Sequence, residues 1–220
     1  MGHGLDTAIY LELGLMLVSY LICGIPFGKI LAKRFAHKDL QQEGSGNIGT
    51  TNALRVAGPK VAAITLAFDL LKGTVCMVAA KQVLLGGSWD AGVPVDLMVA
   101  LVALACLYGH IFSPYLHFHG GKGIATGVGI LFGFFWPLAI VHLAIFIVLV
   151  AITRYVSVGS IVTAAVVPVT VFVAFPHLAP AAIAVWALLG WSVVWAHRAN
   201  IGRLRAGTES KLSFGSKKEA

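Results

Sequence analysis

The sequence predicts an all-helical integral membrane protein, a bundle of seven transmembrane helices forming one domain over residues 1–220, and three observations predict it. Of 220 residues, 58% are hydrophobic and only 11% are charged, against about 25% charged in an ordinary soluble domain. The apolar residues gather into long runs separated by short polar stretches rich in glycine and basic side chains. With seven spans, 14 of the 16 Lys and Arg fall on one side of the membrane, as the positive-inside rule requires of the cytoplasmic face.

A helix crosses the hydrocarbon core with about 20 apolar residues. Such runs occur at about 8–31, 61–85, 95–113, 156–175 and 179–197. The N-terminal stretch MGHGLDTAIYLELG has no basic n-region and carries Asp6 and Glu12, so the first run is expected to be a retained span and not a cleaved secretory signal. From Ile124 to Ile152 no charge occurs over 29 positions. At roughly 1.5 Å per residue this run is too long for one upright helix and short for two.

Pro137, after Trp136, offers a break in that run. Two helices there place Lys29 to Lys60, Lys122, Arg154 and the tail from Arg198 to Lys218 on the same side, while the opposite loops carry Asp90 and Asp96 and no Lys or Arg. One helix would move the basic tail outside. The expectation is therefore seven helices, N-terminus out and C-terminus in, with a short polar tail at about 207–220.

A net charge of +7 in a soluble protein would suggest nucleic acid, but no basic groove interleaved with aromatics accompanies it, and no nucleic-acid partner is expected. Cys23, Cys76 and Cys106 each sit inside an apolar run without short spacing. They read as small core residues, with no disulfide framework and no metal site.

The seven-span topology gathers every unusual polar stretch on the cytoplasmic side: GSGNIGTTNALR (44–55), GHIFSPYLHFHGGKG (109–123), TRYVSVGS (153–160) and HRANIGRLRAGTE (197–209). The first fits a dinucleotide fingerprint through Gly44, Gly46 and Gly49, but no strand precedes it and the acid that follows, Asp69, lies in a span. Thr50 stands where a nucleotide-hydrolase phosphate loop would carry lysine.

What remains is the physics those fingerprints share. Glycines let backbone N–H groups close around an anion, while Ser45, Asn47, Thr51 and Asn52 add neutral donors and Arg55 a forked cation. The competing reading is a Gly/Asn-rich turn without a ligand. In the second stretch, Gly120, Gly121, Lys122 and Gly123 precede an apolar helix whose N-terminus would offer unpaired N–H groups. An ordinary juxtamembrane lysine is the competing reading there.

Asp69 and Lys72, three apart in the second span, should face inward and pair. They are taken as a structural ion pair, with support of the neighbouring anion site as the sharper possibility. His197, Asn200 and Arg203 form an i, i+3, i+6 stripe favoured as site lining, whereas for His110 a buried structural role competes with a place in the site. No H-x-x-x-x-D, G-x-S-x-G or H-E-x-x-H pattern occurs, so thioester-dependent acyltransferase, serine hydrolase and zinc protease chemistries lack their signatures.

Three of these stretches, GSGNIGTTNALR, GHIFSPYLHFHGGKG and HRANIGRLRAGTE, in this order and separated by apolar spans, resemble the motifs of the bacterial membrane glycerol-3-phosphate acyltransferases of the PlsY type. Departures from the family pattern lie at Thr50, Ser113-Pro114, His117 and His119.

The resemblance implies a multi-pass enzyme of the bacterial cytoplasmic membrane with its site facing the cytoplasm. It would move a fatty acyl group from acyl phosphate to the 1-hydroxyl of glycerol 3-phosphate, giving lysophosphatidic acid and inorganic phosphate, with membrane lipid as surroundings and no cofactor or metal. Ser45, Asn47, Gly120, Gly121 and Lys122 would hold acyl phosphate, and Arg55, Ser157, His197 and Asn200 glycerol 3-phosphate. Among these, His197, Lys122, Asn200 and Ser45 would be catalytic. Gly44, Gly46, Gly49, Thr51, Asn52, His110, Gly123, Arg203 and Glu209 would complete the binding surface. A transporter or channel for phosphate-bearing anions is the alternative, weakened by the missing inverted repeat.

Overall fold

The computed structural model describes residues 2–86 and 93–212, with side chains from residue 7 onward. Asp90 of the expected outer loop and the basic tail past residue 212 lie outside the described residues, and the His3 side chain outside the described side chains.

Every regular element among the described residues is helical: α1 (Gly2–Gly24), α2 (Phe27–Ala36), α3 (Thr50–Gly86), α4 (Val95–Ile111), α5 (Ile124–Thr153), α6 (Val156–Ala165), α7 (Val167–Ala174), α8 (Pro180–Ala196) and α9 (Arg198–Arg205), with a 3₁₀ turn at Pro114–Leu116. Lipid offers backbone groups no partner, so a chain this apolar satisfies them within helices. Four segments are long and apolar enough to cross a membrane, at 7–36, 50–86, 95–116 and 124–153; the bent pairs α6–α7 (42°) and α8–α9 (54°) raise the total to as many as six.

Three departures from the expected runs matter for the site. The first run is not one helix: Pro26, which has no N–H, separates α1 from α2. The second begins eleven residues early, because Thr50–Ala57 is already helical, and Gly58 (φ 85°, ψ 175°) before Pro59 then sets it at an angle to the remainder of α3. The third is the break expected at Pro137, which falls at Phe135, whose backbone is extended (φ −158°, ψ 100°).

At Phe135 α5 is kinked. Before it, residue numbers rise together along α5 and α3: Gly129 lies against Leu70, and Gly133 against Thr74 and Met77. After it they run against each other along α5 and α6–α7, with Val150 on Gly159 and His142 bonded to Thr170 (2.7 Å). Lys81 donates to the Phe134 carbonyl (2.5 Å) beside the break and lies over that residue's ring, so the span's second lysine is satisfied at the kink.

The core runs through α1, α3, α4, α5 and α8, with Trp186, Met77, Leu107 and Ile130 among its fully buried side chains. Helices close on one another where glycine removes a side chain. A Cβ at Gly129 would lie 2.0 Å from the Leu70 carbonyl, and one at Gly109 would lie 2.2 Å from that of Tyr20, the close approach small residues permit in membrane bundles. Leu13, Leu17, Trp136, Ile152 and Val173 point outward, forming an apolar belt.

Candidate active site

The second polar stretch folds back onto the helix it leaves. After α4 the chain turns through Pro114–Leu116 and two left-handed residues, His117 (φ 49°) and Phe118 (φ 62°). Gly120 then donates to the Ile111 carbonyl (2.9 Å) and Gly121 to that of His110 (3.0 Å). The glycines are required by proximity: a Cβ at Gly120 would lie 2.0 Å from the His110 carbonyl, and one at Gly121 would lie 2.1 Å from the His110 ring. Their N–H groups therefore cap α4, in contrast to the expectation that they cradle a phosphate. The groups left for a ligand are Lys122 and the first turn of α5, whose N–H groups have no acceptor within the helix.

Lys122 heads a chain of polar contacts joining the second and last stretches. Its Nζ donates to Asn200 Oδ1 (2.5 Å), Asn200 Nδ2 donates to Glu209 Oε1 (2.6 Å), and Arg203 Nε donates to Glu209 Oε2 (2.6 Å). Two features of the fold deliver these groups. The 54° bend at His197 turns α9 across the end of the bundle, and Gly207 (φ 70°) turns the tail back so that Leu212 donates to the Arg154 carbonyl (2.7 Å). Glu209 is thereby brought inward, its side chain 8% exposed although it follows a helix of strongly polar character.

The charges set the chemistry. Arg203 and Arg55 both lie close enough to act on Lys122, with Glu209 the acid that opposes them. Burial, then the neighbouring Arg203 and Arg55, holds the Lys122 ammonium below the ordinary lysine range, against the opposing pull of Glu209. Burial raises the Glu209 carboxyl, but hydrogen bonding from Asn200, Ser157 and Arg203 outweighs it, and the group stays below the usual carboxylate range. Three cations facing one ionised acid form a site with spare positive charge, suited to a phosphate dianion.

His197 is buried, and its Nδ1 lies 2.8 Å from the Val193 carbonyl. Only a protonated Nδ1 can donate there, so in the neutral ring Nε2 carries the lone pair. Lys122 and Glu209 are both near enough to act on this ring. Ser157 is buried at the start of α6 with its hydroxyl turned toward the Glu209 carboxyl.

The first stretch is held mainly by its own side chains. Asn52 is buried and donates to the Leu40 and Glu43 carbonyls (3.0 Å each), while its Oδ1 accepts from the Ser45 N–H (2.9 Å). It is thus the internal tie of the loop and not a donor to a ligand, as the sequence had suggested. Asn47 likewise spends its oxygen on the Gly49 N–H (2.9 Å). Gly44 (φ 66°) and Gly46 (φ 71°) take conformations that L side chains rarely adopt. Ser45, Thr51 and Arg55 remain exposed, and Gln41 bonds the His119 carbonyl (3.5 Å), tying the first loop to the second.

Behind these loops lies a buried network. Lys72 pairs with Asp69 (2.7 Å) and donates to the Ile25 carbonyl (3.0 Å); His110 Nδ1 lies 3.2 Å from Thr126 Oγ1 and 3.7 Å from Asp69. His110 is 4% exposed and enclosed by Gly121 and Thr126, so it supports the loop and presents nothing to a ligand, contrary to its expected place in the binding surface. Sequence reasoning missed Thr126 and the bond from Ser113 Oγ to the Gly24 carbonyl (2.7 Å). Ser113, a departure from the family pattern, was the available signal for the second.

Known proteins share this sequence pattern and fold. Residues 13–207 match the family described as glycerol-3-phosphate acyltransferase. Among relatives bearing that name, one from Bartonella henselae is 40% identical over 90% of each chain. One from Trichlorobacter lovleyi is 44% identical over 88% of this chain and 94% of its own. The fold is similar to the crystal structure of PlsY, an integral membrane glycerol 3-phosphate acyltransferase, in its glycerol 3-phosphate form, with a TM-score of 0.81 and 29% identity over 92% of this chain and 96% of the other. The lysophosphatidic acid form of PlsY is similar with a TM-score of 0.79 and 28% identity.

Proposed function

The chain belongs to the glycerol-3-phosphate acyltransferase family, and from that premise we propose that it transfers a fatty acyl group from acyl phosphate to the sn-1 hydroxyl of glycerol 3-phosphate, giving lysophosphatidic acid and inorganic phosphate. The observation that carries this reading is the Lys122–Asn200 contact, which merges two separate motifs into one positively charged cluster at the ends of apolar helices. Both substrates carry phosphate and one product is a lipid, which such a cluster suits.

In this reading Lys122 and the N-terminus of α5 hold the acyl phosphate, while Arg203, Arg55 and the Ser157 hydroxyl hold the phosphate of glycerol 3-phosphate. Ser45 and Thr51 border the site from the first loop. The substrate hydroxyl oxygen bonds to the acyl carbon as the bond from that carbon to the phosphate oxygen breaks. His197 Nε2 takes the hydroxyl proton, and Lys122 neutralises the departing phosphate. An acyl phosphate is a mixed anhydride with a good leaving group, so positioning and charge neutralisation supply much of the acceleration.

The topology that suits this chemistry is seven spans, N-terminus out, in the bacterial cytoplasmic membrane with the cluster facing the cytoplasm. The kink at Phe135 and the one-sided Lys and Arg support it. The test supplies purified protein with labelled glycerol 3-phosphate and either acyl phosphate or acyl-CoA, following lysophosphatidic acid and phosphate together. Equimolar products from acyl phosphate alone support the reading, whereas product from acyl-CoA alone replaces the donor.

A further inference from the structure

Three thiols meet in the apolar core behind the Asp69–Lys72 network. Cys23 of α1, Cys76 of α3 and Cys106 of α4 are 0%, 5% and 0% exposed, and their Sγ atoms all lie within 4.8 Å of one another. They are the only cysteines of the chain, and all are free. Sequence spacing gave no hint of this, since each thiol comes from a different helix and only the packing of α1, α3 and α4 brings them to one point. All three are the buried core residues that the sequence suggested, and the packing adds that they meet.

Three sulfurs around a common point form a three-coordinate soft donor set. Structural zinc takes four ligands, and iron–sulfur clusters take four cysteines. Charge narrows the choice further. Three thiolates leave two net negative charges on a monovalent ion and one on a divalent ion, and an unbalanced charge in an apolar core is costly. The nearest cation, Lys72, one turn before Cys76, is already claimed by Asp69 at 2.7 Å. A trivalent centre leaves the site neutral.

From this geometry we propose that Cys23, Cys76 and Cys106 form a binding site for a trivalent thiophilic metalloid of the arsenic(III) class, which enters as its neutral trihydroxide. Each As–O bond is exchanged for an As–S bond, and each thiol proton leaves with a hydroxide as water. Three waters are released, arsenic stays trivalent, and no electron is transferred. The adduct ties α1, α3 and α4 together where Lys72 grips the Ile25 carbonyl and one turn before His110.

The full chain, purified in detergent with a non-thiol reductant, is titrated with sodium arsenite. Native mass spectrometry, the ultraviolet sulfur-to-arsenic charge-transfer band and thermal unfolding are followed together. The expected result is one arsenic per chain, release by a competing dithiol, and a raised Tm, as any ligand of the native state gives. Replacing Cys23, Cys76 or Cys106 singly by Ser should weaken binding at least about tenfold, a loss of the size that weakened metal sites show. Cys→Ala variants serve for any Ser variant that fails to fold.

No adduct on folded wild-type protein overturns the proposal. So does tight binding that survives loss of one thiol, or zinc or copper(I) bound in preference to arsenite. Acyl transfer is measured separately on the same preparation, so these outcomes are independent of the proposed reaction.

Discussion

Lys122 Nζ donates to Asn200 Oδ1 across 2.5 Å, joining residues 78 positions apart in sequence and, through Glu209, reaching Arg203. The lysine at the head of this chain is the group most directly aimed at a leaving phosphate. Lys122→Ala should lower kcat by about 10²–10³, the loss seen when a donor to developing charge is removed, while the folded fraction stays unchanged. Steady-state kinetics with acyl phosphate measure it; a variant affected only in KM would place Lys122 in ground-state binding.

The depressed Lys122 ammonium sets an alkaline limit. Because burial and the adjacent guanidinium groups lower its proton affinity, its charge is present at low pH and is lost as pH rises through a value below the ordinary lysine range. The kcat/KM profile should therefore fall on the alkaline side before a normal lysine would titrate, and Lys122→Arg, which cannot deprotonate there, should abolish that limb.

Glu209 acts in the opposite direction. Its folded carboxyl is held below the usual range, so its contribution to stability is present above the unfolded value and is lost as pH falls through the folded one. Melting temperature measured down through the acid range should show that loss in the wild type and a flatter response in Glu209→Gln. Activity of Glu209→Gln at neutral pH should fall as well, since glutamine keeps one acceptor oxygen for two donors, Asn200 and Arg203, and removes the charge opposite Arg203.

His197, with Nδ1 engaged by Val193, is expected to serve as the base. His197→Ala should reduce kcat by about 10²-fold or more, the usual scale of general base catalysis. A rise in KM for glycerol 3-phosphate at unchanged kcat would instead assign the proton to the substrate phosphate, whose second pKa is about 6.

Asp69 and Lys72, each 3% exposed in their side chains, should be destabilising to separate. Replacing one partner leaves a buried charge and costs about 3–5 kcal/mol, while the double variant Asp69→Asn, Lys72→Met recovers part of the loss. Unfolding in detergent, run as a double-mutant cycle, reads both. Two glycines provide a sharper contrast. Gly121→Ala would drive a Cβ into the His110 ring and should displace Lys122, whereas Gly127→Ala meets nothing within 4 Å and should be neutral or stabilising by about 0.5–1 kcal/mol.

Much of this was legible in the chain itself, for particular reasons. Pro137 marked the break because it lacks an N–H, although the distortion falls at Phe135, two residues earlier. Gly120, Gly121 and Lys122 marked a functional loop, but sequence could not say that the glycine N–H groups would cap α4 and leave the lysine as donor. Asn52 and His110 had the chemistry of ligands and are consumed by internal bonds.

By itself the sequence determined that the chain is helical and membrane-embedded, with its polar segments gathered at helix ends, because hydrocarbon forces backbone groups to pair within helices and excludes charge from long apolar runs. Only the tertiary structure decided which donors are free, that Glu209 turns inward, and that three cysteines from three helices share one point. These depend on distances between residues far apart in the chain, set by helix packing and turn geometry, and no local periodicity encodes them.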